Sequence, residues 1–451
     1  MGWRKVQIKE FLTPREERYK PDDPAIAGML RIEKIDFTGR IIISNKPSKT
    51  NMIVVYPGDF VISGINVSKG AMAVYQGNIP VKATIHYSSY KVDHNVINLE
   101  YLKRFLKSPV LIRILKEQMP GGIKTEIKPK HLMPLVIDLP ELPEQEAILS
   151  RFLNTEEEYV ELTGEIANQK ALLKKYRQAI LQEAIQGKLT ADWRKENPDV
   201  EPAAELLKRI AAEKAELVKA KKIRKQKPLS PIKPDEIPFD IPETWEWCRL
   251  VDITSLITDG KHGDCKNNDG SGYFFLSAKD VQNNTILFQN ARQILHEDFV
   301  EVHNRTNLEP SDICMVNTGA TVGKLALAPD QPETYRSTFQ KSVAVIKPVR
   351  PVIESNYIEL FLRAITDKLL KKSGGSAINN LLLGDMRKWK VSLPPLAEQH
   401  EIVRRVEAKF ALCDALEAEI SAAEQHTQHL STAILQEVFD RQESGNNHVS
   451  F

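Results

Sequence analysis

The chain has 451 residues, with 62 Lys and Arg against 60 Asp and Glu and a formal net charge of +2; it is long for one hydrophobic core, so about two to four domains are expected, and any basic surface must be local. Apolar residues at 42% and charged residues at 27% fit a globular protein, and the four scattered cysteines, Cys248, Cys265, Cys314 and Cys413, argue against zinc or a disulfide framework and for a reducing cytoplasm. No apolar run approaches the roughly 18 residues of a membrane span, and the opening MGWRKVQIKEF has no apolar core of the signal-peptide kind.

Residues 1–138 read as a mixed segment. KTNMIVVY and KATIHYSSYKV alternate as strands do, and YLKRFL at 101–106 reads as a short helix. Between them lie polar, glycine-containing loops: REERYK (15–20), NKPSKTN (45–51), SGINVSKG (63–70), IHYSSYK (85–91) and PGGIKTEIK (120–128). LPELPEQEAI (139–148) then leads into a run where Phe152, Tyr159, Ile166, Leu173 and Ile180 fall seven apart, with a second column at Leu162 and Tyr176. This spacing predicts a helical rod over 139–187, its helix from about 144 to 186 being roughly 60 Å long, with Pro140 and Pro143 placed where a helix start tolerates them.

Residues 188–244 read as a linker. EPAAELLKRIAAEKAELVKAKKIRKQK (201–227) is helical by composition, and six of the nine residues from Lys219 to Lys227 are basic. That basic run is either a solvated helix end or a phosphate contact. Five prolines, at 228, 231, 234, 238 and 242, predict an extended spacer after it.

Residues 245–392 form a second mixed segment, with KSVAVIK as a strand and YIELFL (357–362) as a helix. Its loops are TDGKHGD (258–264), SAKD (277–280), NTGATVGK (317–324), YRSTFQK (335–341) and SGGSAINN (373–380). LPPLAEQHEI (393–402) opens a second rod, predicted over 393–441, with Val406, Cys413, Ile420, Thr427 and Ile434 seven apart and Leu416, Ala423 and Leu430 three residues further on. Residues 442–451 read as a disordered tail.

The second half thus repeats the first. The two leaders share six of ten letters at an offset of 254, and AILQE at 179–183 recurs at 433–437 with the same offset. Equal spacing without insertion is expected of packed helices rather than loops. More weakly, Trp3 and Trp247 open the two segments, PGDFVIS (57–63) parallels PSDICMV (310–316), and Tyr101 and Phe105 parallel Tyr357 and Phe361. The rods are either helices buried separately or a pair packed on each other that presents two equivalent surfaces; the latter predicts two copies of a partner. The fold class is α+β, as a pseudo-two-fold tandem of domain, rod, domain, rod.

No reactive constellation accompanies this frame. H-E-x-x-H and G-x-S-x-G are absent. GATVGKL (319–325) has one residue too few between its glycines, and leucine where a phosphate-binding loop needs Ser or Thr. NPDV (197–200) does not match the Asn-Pro-Pro-aromatic tetrapeptide of amino-methyltransferases, and His86, His94, His262 and His303 lack spaced partners. What remains are loops whose side chains hold phosphates and read base edges. Candidate DNA-binding residues are Lys46, Lys49, Ser68, Lys69, Lys124 and Lys128 in the first segment. In the second they are Lys261, His262, Lys279, Thr321, Lys324, Arg336, Gln340, Lys341 and Asn379. Each loop alone reads as ordinary surface; duplicated in a two-fold frame, they fit a reader of a two-part site.

The chain resembles the specificity (S) subunit of type I DNA restriction–modification systems. The resemblance is carried by LPELPEQEAILSRF and LPPLAEQHEIVRRVEAKF, by KYRQAILQEAIQGKLTADWRKENPDVEPAAELLKRI, by the Trp-led domain starts and by TDGKHGD, which has lysine where the family commonly has threonine. It covers essentially the whole chain. It implies two target-recognition domains (1–138 and 245–392), each reading one half of a split sequence in double-stranded DNA. Between them, two antiparallel helices packed as a coiled coil would dock two modification subunits, with Leu142, Glu144, Gln145, Arg151, Leu396, Glu398, Gln399 and Arg405 as docking candidates. Those subunits would bind S-adenosylmethionine and methylate adenine, and restriction subunits would supply cleavage and translocation driven by ATP with magnesium. The chain itself is implied to be non-catalytic and cytoplasmic, binding no cofactor, metal or membrane.

Overall fold

The computed structural model of the chain describes residues 3–66, 69–118, 127–282, 284–371 and 380–439. Its compact units are residues 1–168 with 420–451, and residues 169–419. The unit boundaries therefore fall inside both rods. No described helix is long and apolar enough to cross a membrane.

The first unit runs β1 (Arg4–Gln7), β2 (Leu12–Pro14), β3 (Arg31–Ile35), β4 (Ile41–Ser44), β5 (Met52–Val55), β6 (Phe60–Ser63), β7 (Met72–Val74), β8 (Val81–Thr84) and β9 (Tyr87–Val92). Then come α1 (Leu99–Lys107), α2 (Pro109–Gln118), α3 (Pro129–Leu132), β10 (Val136–Leu139) and the start of α4 (Leu142–Ile185). KATIHYSSYKV, read as one strand, is two, broken by a turn at residues 85 and 86. One sheet has the order β2-β9-β6-β7 and another β4-β3-β8-β5, while β1 pairs with β10. Strand alternation sends Phe60 and Ile62 of β6 into one core with Tyr101, Leu102 and Phe105 of α1. Val61 points the other way, into a second core with Ile32, Ile53 and Val81. The β6 sheet is thus buried on both faces.

The second unit contains α5 (Ala191–Glu196), α6 (Ala203–Lys219), β11 (Glu246–Arg249), β12 (Thr254–Asp259), β13 (Phe274–Leu276), β14 (Val281–Gln282), β15 (Thr285–Ile286), β16 (Arg292–Gln293), α7 (His296–Thr306) and β17 (Ile313–Val316). They are followed by β18 (Leu325–Leu327), β19 (Ser337–Phe339), β20 (Val343–Pro348), α8 (Ser355–Lys371), α9 (Leu383–Met386), β21 (Lys390–Leu393) and the first part of α10 (Leu396–Phe439). Its main sheet, β12-β20-β17-β18, has the connectivity of β2-β9-β6-β7, and β11 pairs with β21 as β1 does with β10. The register agrees too: Phe60 faces Tyr90 and Val74, and Ile313 faces Ile346 and Leu327.

The turn entering each central strand is also duplicated. Gly58 and Ser311 both take positive φ, at 83° and 65°. The next residue is a buried aspartate that accepts a hydrogen bond from the backbone three positions back: Tyr56 N to Asp59 at 3.1 Å and Glu309 N to Asp312 at 2.8 Å. Each carboxylate also pairs with basic side chains distant in sequence. Arg15 Nη2 lies 2.9 Å from Asp59; Lys347 Nζ and Arg350 Nη2 lie 2.6 and 3.0 Å from Asp312.

The helix expected over 201–227 forms as α6, and the proline-rich stretch after it carries no strand or α-helix; both pack against other residues of the second unit. Ala203, Leu206 and Ile210 of α6 are buried, and Ala203 N donates to Thr244 O at 2.9 Å. Lys214 Nζ donates to Val251 O at 2.6 Å. The Arg249 guanidinium holds Ser230 O at 3.1 Å, and Phe239 meets the Trp247 ring edge-on, 4.9 Å between centroids. Apolar residues spaced three and four apart give α6 a stripe that must be covered, and the strap after it follows. The basic residues at 221, 222, 224, 225 and 227 remain exposed.

Both rods form as single helices of 44 residues, about 66 Å each, with starts and ends at the same 254-residue offset. Within the second unit they run antiparallel. Arg405, early in α10, donates to Leu189 O just beyond the end of α4, while Arg177 Nη2 reaches Asp414 at 2.5 Å and Glu417 at 3.0 Å. Of the first column, Ile166, Leu173, Ile180, Val406, Cys413 and Thr427 are buried; Phe152, Tyr159 and Ile420 are half-buried, and the Ile434 side chain lies outside the described residues. The second column differs from expectation. Leu162, Tyr176, Leu416 and Leu430 are 42–50% exposed, and Ala423 is exposed too. The seam uses one residue per heptad, and the neighbouring apolar column faces solvent.

Candidate nucleic-acid interface

In the second unit backbone bonds gather the candidate loops at one end of the main sheet. Gly260 passes so close to β19 that a Cβ there would sit 1.7 Å from Phe339 O, so only glycine fits. Lys261 N then donates to Phe339 O at 2.8 Å and Lys341 N to Lys261 O at 3.1 Å. Gln340 N donates to Leu276 O at 2.8 Å, ahead of Lys279, and Asn317 N to Ser342 O at 3.0 Å. Lys261, His262, Lys279, Thr321, Lys324, Gln340 and Lys341 thus lie on linked segments. Arg336 does not join them: it precedes β19, at the other end of that strand, and is exposed. Asn379 lies outside the described residues.

The side chains in this group differ in freedom. Lys261 Nζ is 2.9 Å from Glu301 and 3.4 Å from Asp298, and its hydrogen bond to Glu301 raises its pKa; it ties the loop to α7. His262 is exposed with Nε2 3.3 Å from the Asp259 carboxylate, which also binds Arg305. Gln282 links two candidates: Nε2 donates to Lys279 O at 2.9 Å and Oε1 accepts from Lys324 Nζ at 2.6 Å. Lys279 and Lys341 are exposed.

The first unit gathers its loops at the corresponding end. Ile85 N donates to Asn51 O at 3.1 Å, Gly64 N to His86 O at 3.0 Å and Ile127 N to Gly64 O at 2.9 Å. These bonds bring the segments of Lys46, Lys49, Lys69 and Lys128 together. Lys46 is ion-paired with Glu33 at 2.6 Å, and Lys69 Nζ sits 5.8 Å over the Phe37 ring; Lys49 and Lys128 are exposed. Ser68 and Lys124 lie outside the described residues.

At the leaders, much of the predicted docking set is engaged within the chain. Gln145 is fully buried; it accepts from Asn98 N at 2.7 Å and donates to Pro140 O at 2.8 Å, fixing the start of α1 to α4. Gln399 repeats this, accepting from Glu354 N at 3.0 Å and donating to Pro394 O at 2.9 Å. Trp3 Nε1 donates to Glu144 at 2.9 Å and Trp245 Nε1 to Glu398 at 2.8 Å. Trp245, not Trp247, is therefore the counterpart of Trp3, since each directly precedes the strand that pairs beside the leader. Glu398 also accepts from Thr190 Oγ1 at 2.6 Å and from Arg194. Leu142 and Leu396 are half-buried and Arg151 is exposed. Arg405 binds Asp192 at 2.7 Å and Glu401 at 2.6 Å.

Hydrogen bonds from Arg404 and then Arg405 hold the Glu401 carboxyl down to about 2, and Arg405 holds Asp192 down to about 2. A depressed folded-state value contributes stability above the unfolded value, about 4, that is lost as the pH falls toward about 2. Glu401→Gln is therefore expected to flatten the fall of the thermal midpoint between about pH 4.5 and 2; the wild-type slope in the variant would contradict it.

Residues 242–424 match the family model of the type I restriction modification DNA specificity domain. The specificity subunit of the type I restriction enzyme EcoEI from Escherichia coli is 34% identical over 277 residues, 57% of this chain and 44% of that protein. The EcoAI specificity subunit, also from Escherichia coli, is 27% identical over 75% of this chain and 64% of its own length. The chain thus spans under half of the first relative and under two thirds of the second. Two solved structures share the fold. One is a chain from work on complex assembly and conformational transition of the type I R-M system, with TM-score 0.65, 18% identity and 98% of both chains covered. The other is the HsdS subunit from Thermoanaerobacter tengcongensis, with TM-score 0.57, 17% identity and 98% of this chain and 97% of that one covered. The specificity-domain match includes the second unit's loop cluster and most of α10.

Proposed function

We propose that the chain is the DNA-sequence-recognition subunit of a type I restriction–modification complex. Each recognition domain reads one half of a bipartite site in double-stranded DNA, through the loops at the matching end of its central sheet. The carrying observation is that duplication: the same sheet order and register, with lysine-bearing loops at the same end, beside a match to a DNA specificity domain. Phosphate contacts would supply salt-dependent affinity, and a few base-edge contacts the choice of sequence.

The rods set the spacing between half-sites and dock two modification subunits. The exposed apolar column supports this, with Leu162 on α4 in the first unit and Leu172, Tyr176, Leu412 and Leu416 in the second, since exposed apolar surface marks interaction sites. Exposed Arg151 and half-buried Leu142 and Leu396 flank the rod starts. Adenine methylation with S-adenosylmethionine, and cleavage with ATP and magnesium, are assigned to the partner subunits; this chain is non-catalytic.

Replacing Lys279, Lys324 and Lys341 together by alanine is expected to weaken DNA binding by the assembled complex at least tenfold and to reduce its salt slope. Unchanged binding would favour a scaffold that does not touch DNA. Methyl transfer by the purified chain with S-adenosylmethionine would overturn the non-catalytic assignment.

A further inference from the structure

A cleft of about 930 Å³ opens in the first unit between β4, β7, α1 and the first turns of α4. Its counterpart in the second unit, between β18, α8 and α10, measures about 170 Å³. The two stand at matching places in the repeat but are lined differently. Where the first has Arg104 and Glu156, the second has Leu360 and Phe410, whose side chains line the narrower space. The duplicated frame has one cleft nearly filled and one open.

The charges in the open cleft do not balance. Glu100 is paired with Lys103 at 2.6 Å and Arg104 at 3.0 Å, and Glu156 with Arg104 at 3.2 Å. Among the described residues Arg40 and Lys107, both exposed, form no ion pair. In the narrow cleft Arg363 is bonded to Glu359 at 2.5 Å. The open cleft also has an apolar side formed by Ile41 and Ile43 of β4, with Ile43 38% exposed, and β4 is the edge strand of its sheet. Edge strands offer backbone groups to an incoming strand.

We propose that this cleft docks an acidic segment of a protein partner, its carboxylates meeting Arg40 and Lys107 and an apolar side chain resting on Ile41 and Ile43. A protein is favoured over nucleic acid on two counts. The space holds a few side chains but not a duplex. The apolar wall gains from burial only against an apolar group. The choice of a modification subunit as partner rests on the recognition-subunit reading; the acidic, apolar chemistry does not.

The test uses the full chain assembled with its modification subunits and duplex DNA, with Ile43→p-benzoylphenylalanine as a photo-crosslinker. A cross-link to a modification-subunit peptide carrying at least two Asp or Glu is expected. The double variant Arg40→Glu/Lys107→Glu should assemble at least tenfold more weakly, while the isolated chain keeps its thermal midpoint. A cross-link to DNA, one confined to this chain, or none would overturn the proposal, as would undiminished assembly of the charge-reversed variant. DNA binding by the wild-type complex, read on the same sample, reports separately on the recognition-subunit reading.

Discussion

Replacing Glu398 with alanine is expected to lower the unfolding free energy by about 3–5 kcal/mol, the range for removing one partner of a buried charge pair. The carboxylate is fully buried and accepts from Trp245 Nε1, Thr190 Oγ1 and Arg194. Its loss leaves the indole N–H without its acceptor and removes the counter-charge of Arg194, which keeps only Gly187 O and Thr190 Oγ1. The counterpart Glu144 is half-buried and takes one bond of this kind, from Trp3 at 2.9 Å; Glu144→Ala should cost only about 1 kcal/mol. Urea denaturation of the two variants checks the difference. Equal losses would mean that the enclosure around Glu398 contributes nothing, and that the segment after α4 does not lock the second leader.

Asp312→Ala is the second large effect, again about 3–5 kcal/mol. The side chain is fully buried, caps the turn through Glu309 N and binds Lys347, which is itself buried. Removing the carboxylate leaves the Lys347 ammonium with Glu309 at 3.0 Å and a backbone carbonyl, and frees the turn at Ser311. Asp312→Asn separates the two roles: it can keep the bond from Glu309 N while losing the charge, so it should recover part of the loss. Asp59→Ala should behave likewise in the first unit, where Arg15 and Ser89 Oγ would lose their acceptor. Near-neutral alanine variants at both positions would show that the duplicated turn is not a stabilising element.

What was legible in the sequence follows the range of the forces involved. The rods were legible because a seven-residue interval is a local signal, and helices spanning 142–185 and 396–439 sit within the predicted 139–187 and 393–441. The exposed second column was not, because periodicity cannot say whether the chain itself or a partner covers an apolar stripe. The linker helix was legible from composition, and Leu206 and Ile210, four apart, marked its apolar face; that the proline-rich stretch after it packs against Arg249 and Trp247 was not, because prolines signal an extended backbone and not what it lies on. Asp59 and Asp312 were visible as aligned letters, but Arg15 lies 44 residues from Asp59 and Lys347 35 from Asp312, and no spacing rule joins them. The leader residues stood out as a motif; that Gln145, Glu398 and Gln399 are buried depends on tertiary packing the motif does not encode. Among the DNA-binding candidates, loop composition could not separate Arg336, at the far end of β19, from the clustered lysines.

The central claim is that a duplicated frame reads two short sequences at an interval fixed by paired rods. Selecting bound duplexes from a random-sequence pool, with the assembled complex carrying either the wild-type chain or one with four residues inserted after Gln169, tests it most directly. The account predicts two short motifs separated by a constant unread gap for the wild type, and a changed gap or lost selection for the insertion. A single uninterrupted motif, or the same gap in both, would contradict it.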